Sequence, residues 1–517
     1  MKTAFIHGKL FNQKNDAFIV EDGKFTTFGT TAFILKQPID EIIDLNGDTV
    51  LPGFHDSHLH LLGIGKSMEM FNASNHKTID ALIEAAKKHQ TKPFLGRGWH
   101  ESQFKENRAL TKDDLNKISD QDIVIIYRVC GHMVVANSVA LKALKEKNIP
   151  LPEDQDSYDL TLGHFKESAI KTIMKVLPDI DQETLTRQLL IAQDHLLSQG
   201  VTAIGSDDFA MYDVPFEMIL NTMKDLALDG TLKLRILEQA HLSNYDDFTR
   251  FIEEGYLHQA YGRYKMGPLK LFADGSLGAR TALLSEPYSD ADTLGIRIFK
   301  PERLKKYIET ANANKMDIAI HAIGDQSVEE ILDIIQGIPH DQRKDRRHSI
   351  IHAQLARLDQ ILRMKILNVG AQTQPIFINS DIAIIQERLG LRITNSYLFN
   401  TMYRFNIPTT ISTDAPVESV NPFENVYVAV TRRSIKHPEM GQYLPTEAFS
   451  MQDAIRAYTE TPAYFSYQEN ELGKLQKNHY ADFIVVENLS LKNPDTLLNA
   501  KVVETYIEGE KVYQKKS

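Results

Sequence analysis

The sequence predicts an α/β protein: a (β/α)8 barrel, a small β-sandwich made from both chain ends, and a subdomain inserted after the first barrel strand. Three features predict it. Through the middle of the chain, short apolar runs recur and alternate with amphipathic helical stretches, the rhythm of a parallel barrel. The two ends share a different texture, short β-rich runs broken by tight turns. Between the first and second apolar runs lie more residues than any loop of a compact domain uses.

Taken in order, residues 1–52 supply the first part of the sandwich. In FIVEDGKFTTFG, Asp22-Gly23 suits a two-residue hairpin turn. The barrel occupies 53–467, and its strand candidates are VLPGFHDSHLH, GVTAIGSDDF, LKLRILEQA, PLKLFADG, MDIAIHAIGD, HSIIHAQ, NVGAQTQP and IPTTISTDAPV. Helical stretches such as SVEEILDIIQGI (327–338) and LDQILRMKIL (358–367) lie between them. The insert, about 66–198, has its own strand-like segments, FLGRGW and DIVIIYRV, and a helical one, TIDALIEAAKKH. Residues 468–517 return to the sandwich through YADFIVV and KVVETYIEGEKVYQ, turning at Glu508-Gly509-Glu510. Neither end can bury a core alone, so the two are expected to fold together.

Bulk composition narrows the function classes. A net charge of −11 across 517 residues gives no support to a nucleic-acid or anionic-membrane partner. A small-molecule substrate is the expected partner, and homo-oligomerisation is left open. The single cysteine, Cys130, excludes an internal disulfide and a thiolate-rich metal site, and suits a reducing compartment. The N-terminus, MKTAFIHGKLFNQKND, has His7, Lys9 and Lys14 where a signal peptide needs its apolar segment. No stretch approaches the roughly 18 apolar residues of a membrane span. The expectation is a soluble, cytoplasmic protein.

Active sites of such barrels lie at the C-terminal ends of the strands. Strand 1 ends in His58-Leu59-His60, strand 4 carries Lys270, strand 5 His321, strand 6 His352 and strand 8 Asp414. Strand alternation sends His58 and His60 to one face, where they can bind one metal together; His55, three residues before His58, has the wrong parity. Each residue alone has a bland reading. A histidine in an apolar strand is usually a satisfied core residue, Lys270 can snorkel, and Asp414 can cap the next segment. Five ligand-type sites at the ends of five different strands outweigh those readings. Four neutral imidazoles and a carboxylate suit a divalent metal, zinc first, with manganese or iron also compatible.

These motifs resemble those of the amidohydrolase superfamily. VLPGFHDSHLH is similar to its strand-1 signature, and IHAIGD, IHAQ and STDAPVES to those of strands 5, 6 and 8. PLKLFADGSLGARTA, GRGWHESQF, GHMVVANSVAL, GHFKES and AVTRR resemble the family 3 branch, which includes N-substituted formamide deformylases. The resemblance implies that His58, His60 and Asp414 hold one metal and that His321 and His352 hold a second. It also implies that Lys270 bridges the two as an N-carboxylated lysine. The competing reading keeps Lys270 unmodified beside a single metal. The implied activity is hydrolysis of an amide-type, non-peptide C–N bond by metal-activated water, with Asp414 as general base and acid.

For substrate contacts the expected residues are His132 and Trp99, in motifs of the insert, and Asp274 and Arg280, in the loop after Lys270; Glu167 is a weaker candidate. Two other functions compete. A deaminase of the same superfamily usually carries HxxE after strand 5 and lacks the strand-4 lysine, whereas this chain has His321-Ala322-Ile323-Gly324 and Lys270. A non-catalytic relative predicts broken ligand positions, and none is broken.

Overall fold

The structure is a computed structural model that describes residues 1–89, 91–129 and 131–516. Cys130 lies outside the described residues. Eight parallel strands make the barrel: β1 (Phe54–Leu59), β2 (Val201–Ser206), β3 (Arg235–His241), β4 (Tyr264–Phe272), β5 (Ile318–Ala322), β6 (Ser349–His352), β7 (Gly370–Thr373) and β8 (Thr409–Ile411). These are the eight runs the sequence singled out, in the same order. Their near-continuous apolar character follows from burial on both faces, by the barrel interior and by the helices outside.

The helices between strands carry ordinary start and stop signals. Pro301 opens the helix Pro301–Ala313, where its missing N–H costs nothing. Asn368, at φ 57°, ends Leu358–Leu367 in the left-handed conformation that Asn tolerates. Expected helices at 327–338 and 358–367 appear as Asp325–Gly337 and Leu358–Leu367.

Beyond β8 the ladder does not continue to β1 as a regular pair. Two backbone hydrogen bonds close the gap instead: Asp414 N–H to the His58 carbonyl and His60 N–H to the Ala415 carbonyl, both 2.9 Å. The barrel therefore closes through the backbone of the HxH pair itself.

Strand β1 is not a regular strand. Asp56 pairs with Ile204 and Leu59 with Ser206, so three steps on β1 match two on β2. That extra residue is a bulge, which re-aims side chains beyond it. It lets His55 and Ser57 line a small internal cavity with Gln239, Ser349 and Gln372, while His58 and His60 turn to the cluster they form with Asp414. The parity argument against His55 therefore fails as geometry. His55 lies apart from that cluster because it sits lower in the barrel, where burial first and the Arg235 charge second push its imidazole down to about 3.

Both chain ends contribute sheets. The strands Lys2–Ile6, Ala17–Glu21, Lys24–Gly29 and Glu41–Asp44 form one, and Lys9–Leu10, Thr49–Pro52, Phe483–Glu487, Lys501–Ile507 and Glu510–Gln514 form another. Their apolar faces meet through Phe5, Phe18, Phe483 and Tyr506, with the Phe483 and Tyr506 rings stacked at 4.4 Å. Asp22 and Gly23 both take positive φ, 51° and 76°, as a tight hairpin demands.

A second compact unit spans Ile64–Gln188, while the barrel and terminal sheets make up the first. The second unit has a six-stranded sheet and its own apolar clusters, one around Trp99, Leu82 and Ile126 and another around Phe165, Ile125 and Val134. Among the described residues, no helix is long and apolar enough to cross a membrane.

Candidate metal centre

At the C-terminal end of the barrel, His58, His60 and Asp414 offer ligand atoms that all lie within 4.8 Å of one another. Asp414 Oδ1 is 3.2 Å from His58 Nε2 and 3.1 Å from His60 Nε2. Ligands about 2.0–2.1 Å from a tetrahedral zinc ion stand roughly 3.3 Å apart, so these separations fit a divalent cation. Asp414 takes a left-handed backbone, φ 58°, a conformation costing of order 1–3 kcal/mol in a non-glycine residue. Its neighbours hold it there. The Asp56 carboxylate accepts from the Thr413 N–H and hydroxyl and from the Tyr458 hydroxyl, tying β1 to the segment after β8.

The three groups share charge unevenly. Burial opposes ionisation of Asp414, but the adjoining His58 and His60 imidazoles hold its carboxyl well below the usual carboxylate range. Burial also opposes a charged His60, yet the hydrogen bond to Asp414 and the charge of Asp207 push it up to about 9. His58 goes the other way, down to about 4, through burial and the nearby Lys270 charge.

Lys270, with 0% exposure, places Nζ 3.3 Å from His58 Nε2 and 3.5 Å from Asp207 Oδ2. An ammonium cannot ligate a cation, so in this form Lys270 is a partner of the site rather than a ligand. His352 and His321 complete the row, their ring centroids 4.4 Å apart and that of His352 6.0 Å from His58. His352, like Asp414, has positive φ, 74°. All six residues expected as metal ligands therefore reach one end of the barrel. Among the described residues, only His58, His60 and Asp414 group tightly enough to share one ion.

Two residues of the site escaped the sequence reading. Asp207, after β2, accepts from His241 Nδ1 at 3.1 Å, and its carbonyl accepts from His60 Nδ1 at 3.0 Å. Burial works against its charge, but His241 and Lys270 prevail and hold its carboxyl well below the usual range. His241 ends β3, packs against Phe272 and keeps 15% of its side chain exposed. The available signal was position: GSDDF and EQAH place both residues at strand ends, just as the recognised ligands are placed.

The expected substrate contacts fare differently. Trp99 is fully buried in the core of the second unit and spends its indole N–H on the Ile126 carbonyl; it is a packing residue there. His132 and Glu167, in the same unit, are exposed and paired with each other at 3.1 Å. Arg280 lies in the loop after β4, with its guanidinium turned to Asp290. Asp274 is fully buried and accepts from the N–H groups of Leu283, Ile323 and Gly324 at 2.8–3.0 Å, binding the loop after β4 to the end of β5. Three of its acceptor sites are thereby committed to backbone. Asp274→Ala is expected to lower stability by about 3–5 kcal/mol, since three buried N–H groups lose their acceptor. Urea unfolding measures this, and a loss below about 1 kcal/mol contradicts the assignment.

This geometry has close counterparts. The profile described as "Amidohydrolase family" matches residues 41–513. YtcJ of Bacillus subtilis (strain 168) is 31% identical, the alignment covering 97% of this chain and 96% of that protein. The N-substituted formamide deformylase of Arthrobacter pascens is 22% identical over 98% of this chain and 96% of that protein. A crystal structure of an uncharacterized metal-dependent hydrolase from Pyrococcus horikoshii OT3 superposes with a TM-score of 0.81 at 30% identity, covering 96% of this chain and 99% of that one. The match runs through the barrel strands that bring His58, His60 and Asp414 together, and the chain belongs to the amidohydrolase family of metal-dependent hydrolases.

Proposed function

We propose that the protein hydrolyses a non-peptide C–N amide bond in a small N-formyl or N-acyl substrate. The observation that carries this reading is the Asp414 carboxylate wedged between two imidazole nitrogens, a donor set that fits zinc. A divalent cation bound there supplies Lewis acidity, which makes water nucleophilic near neutral pH. The chain's own residues do the rest. Asp414 stays ionised at neutral pH, so its carboxylate can take a proton from attacking water and return it to the departing nitrogen. His58 and His352, both pushed down by burial, stay neutral and present lone pairs.

Asp207 pairs with Lys270 in the unmodified state and orients His241 at the mouth of the barrel. Carboxylation of Lys270 would give His321 and His352 the anionic oxygens a second ion needs. A carbamate carbon signal after incubation with isotope-labelled bicarbonate would reveal it. The formamide preference draws support from the deformylase relative.

The test compares zinc-loaded and chelator-stripped protein on N-formyl, N-acyl and carbamoyl amines. Amine and carboxylate should appear only with the loaded protein. Ammonia from aminopurines or aminopyrimidines, without amide turnover, would replace this reading with deamination. Failure of the protein to take up zinc, manganese or cobalt would remove both.

A further inference from the structure

We infer that the barrel interior is wired with hydrogen bonds of one polarity that dictate which ring nitrogen each candidate ligand histidine presents, and that Gln239, Gln372, Gln374 and Ser349 are positioning residues for the metal. This deepens the metal-site reading above and rests on it.

Barrel interiors are usually filled with branched aliphatic side chains. Beneath this site the layer is polar instead, and its bonds can be followed from a fixed end. A backbone carbonyl can only accept. The Ser349 hydroxyl donates to the Ile318 carbonyl at 3.3 Å, so its oxygen must accept from Gln372 Nε2 at 2.9 Å. Gln372 Oε1 therefore faces Gln239 Nε2, at 3.0 Å. The same Nε2 donates to the Ser57 carbonyl at 2.9 Å, which fixes the Gln239 amide a second time. Only Oε1 of Gln239 is left for His58 Nδ1, at 2.6 Å. His58 Nδ1 must carry the proton, and Nε2 faces Asp414 with its lone pair.

A second, shorter chain does the same for His352. Gln374 Nε2 donates to the Gln372 carbonyl at 3.0 Å and to the Ser412 hydroxyl at 2.7 Å, and Ser412 donates onward to the Thr373 carbonyl at 3.2 Å. Gln374 Oε1 thus accepts from His352 Nδ1 at 2.7 Å, again freeing Nε2. His321 is held the opposite way. Its Nε2 reaches the Gly275 carbonyl at 3.0 Å, so Nδ1 is its free nitrogen. Flipping the Gln239 amide would set its oxygen against the Ser57 carbonyl and Gln372 Oε1, and flipping Gln374 would set its oxygen against the Gln372 carbonyl, with no water-exposed alternative because both side chains are buried.

Nitrogen NMR of the metal-free protein with labelled histidine reads the tautomers directly. His58 and His352 should be protonated at Nδ1 and bare at Nε2, and His321 the reverse. Gln239→Met and Gln374→Met should each weaken zinc binding by about 10–100-fold in competition with a chelator, and should mix the tautomers of His58 and His352 respectively. A bare Nδ1 on His58 in the wild type overturns the inference, and so does unchanged zinc affinity in both variants. A wild type that shows these tautomers but binds no zinc supports the wiring and overturns the metal reading instead. If one variant fails to fold, the wild-type spectrum and the other variant still decide.

Discussion

Asp414→Asn is expected to abolish turnover, lowering kcat/KM by about 10^3-fold or more while the barrel stays folded. Asparagine keeps the shape, and the closure of the barrel uses the residue-414 N–H rather than its side chain. What disappears is the anion. Both His58 and His60 direct Nε2 at Asp414 Oδ1, and no other carboxylate comes as near to both among the described residues. The substitution removes the proton acceptor and weakens the donor set together, so zinc content must be measured beside activity. Circular dichroism and the unfolding midpoint check the fold. Turnover within about tenfold of wild type, at matched zinc occupancy, would rule Asp414 out as the proton-transfer group.

The fold was legible because the barrel announces itself through repetition. Each strand is a short apolar run because it is buried on both sides, and the ligand-type residues stand out by interrupting those runs. What stayed hidden depends on contacts distant in sequence. The bulge that separates Ser57 from His58 is a register event between β1 and β2, with no mark in the sequence of either. Asp274 and Trp99 look like site residues in their motifs, yet three backbone amides claim one and a core claims the other. Asp207 and His241 were overlooked for the opposite reason. Each has an ordinary local setting and becomes notable only because β2, β3 and β4 lie side by side, bringing Asp207 to Lys270 and His241. The same holds for the glutamines, whose meaning lies entirely in what their amides touch.

Zinc affinity is expected to rise about tenfold per pH unit between about pH 5 and 7, before ionisation of bound water steepens the dependence. The reason is a single proton. In the metal-free protein His60 is raised from 6.5 to about 9, so near neutral pH it is an imidazolium, and the cation must displace that proton from Nε2. His58 and His352 are pushed down and Asp414 is already ionised, so none of them adds a second proton in this range. The sign for folding is the reverse. A raised histidine stabilises the metal-free fold fully below pH 6.5, and that contribution, roughly 3 kcal/mol, is lost as the pH climbs through about 9. Metal-free protein should therefore lose stability between these limits. Zinc at about 100 times its Kd should restore about 2.7 kcal/mol at each pH. Calorimetry in buffers of different ionisation enthalpy counts the protons released on loading, with one, that of His60, expected at about pH 6, below the range in which bound water ionises. Release of none would mean that His60 is neutral in the free protein, and the Asp414–His60 ion pair would then not be the state that zinc replaces.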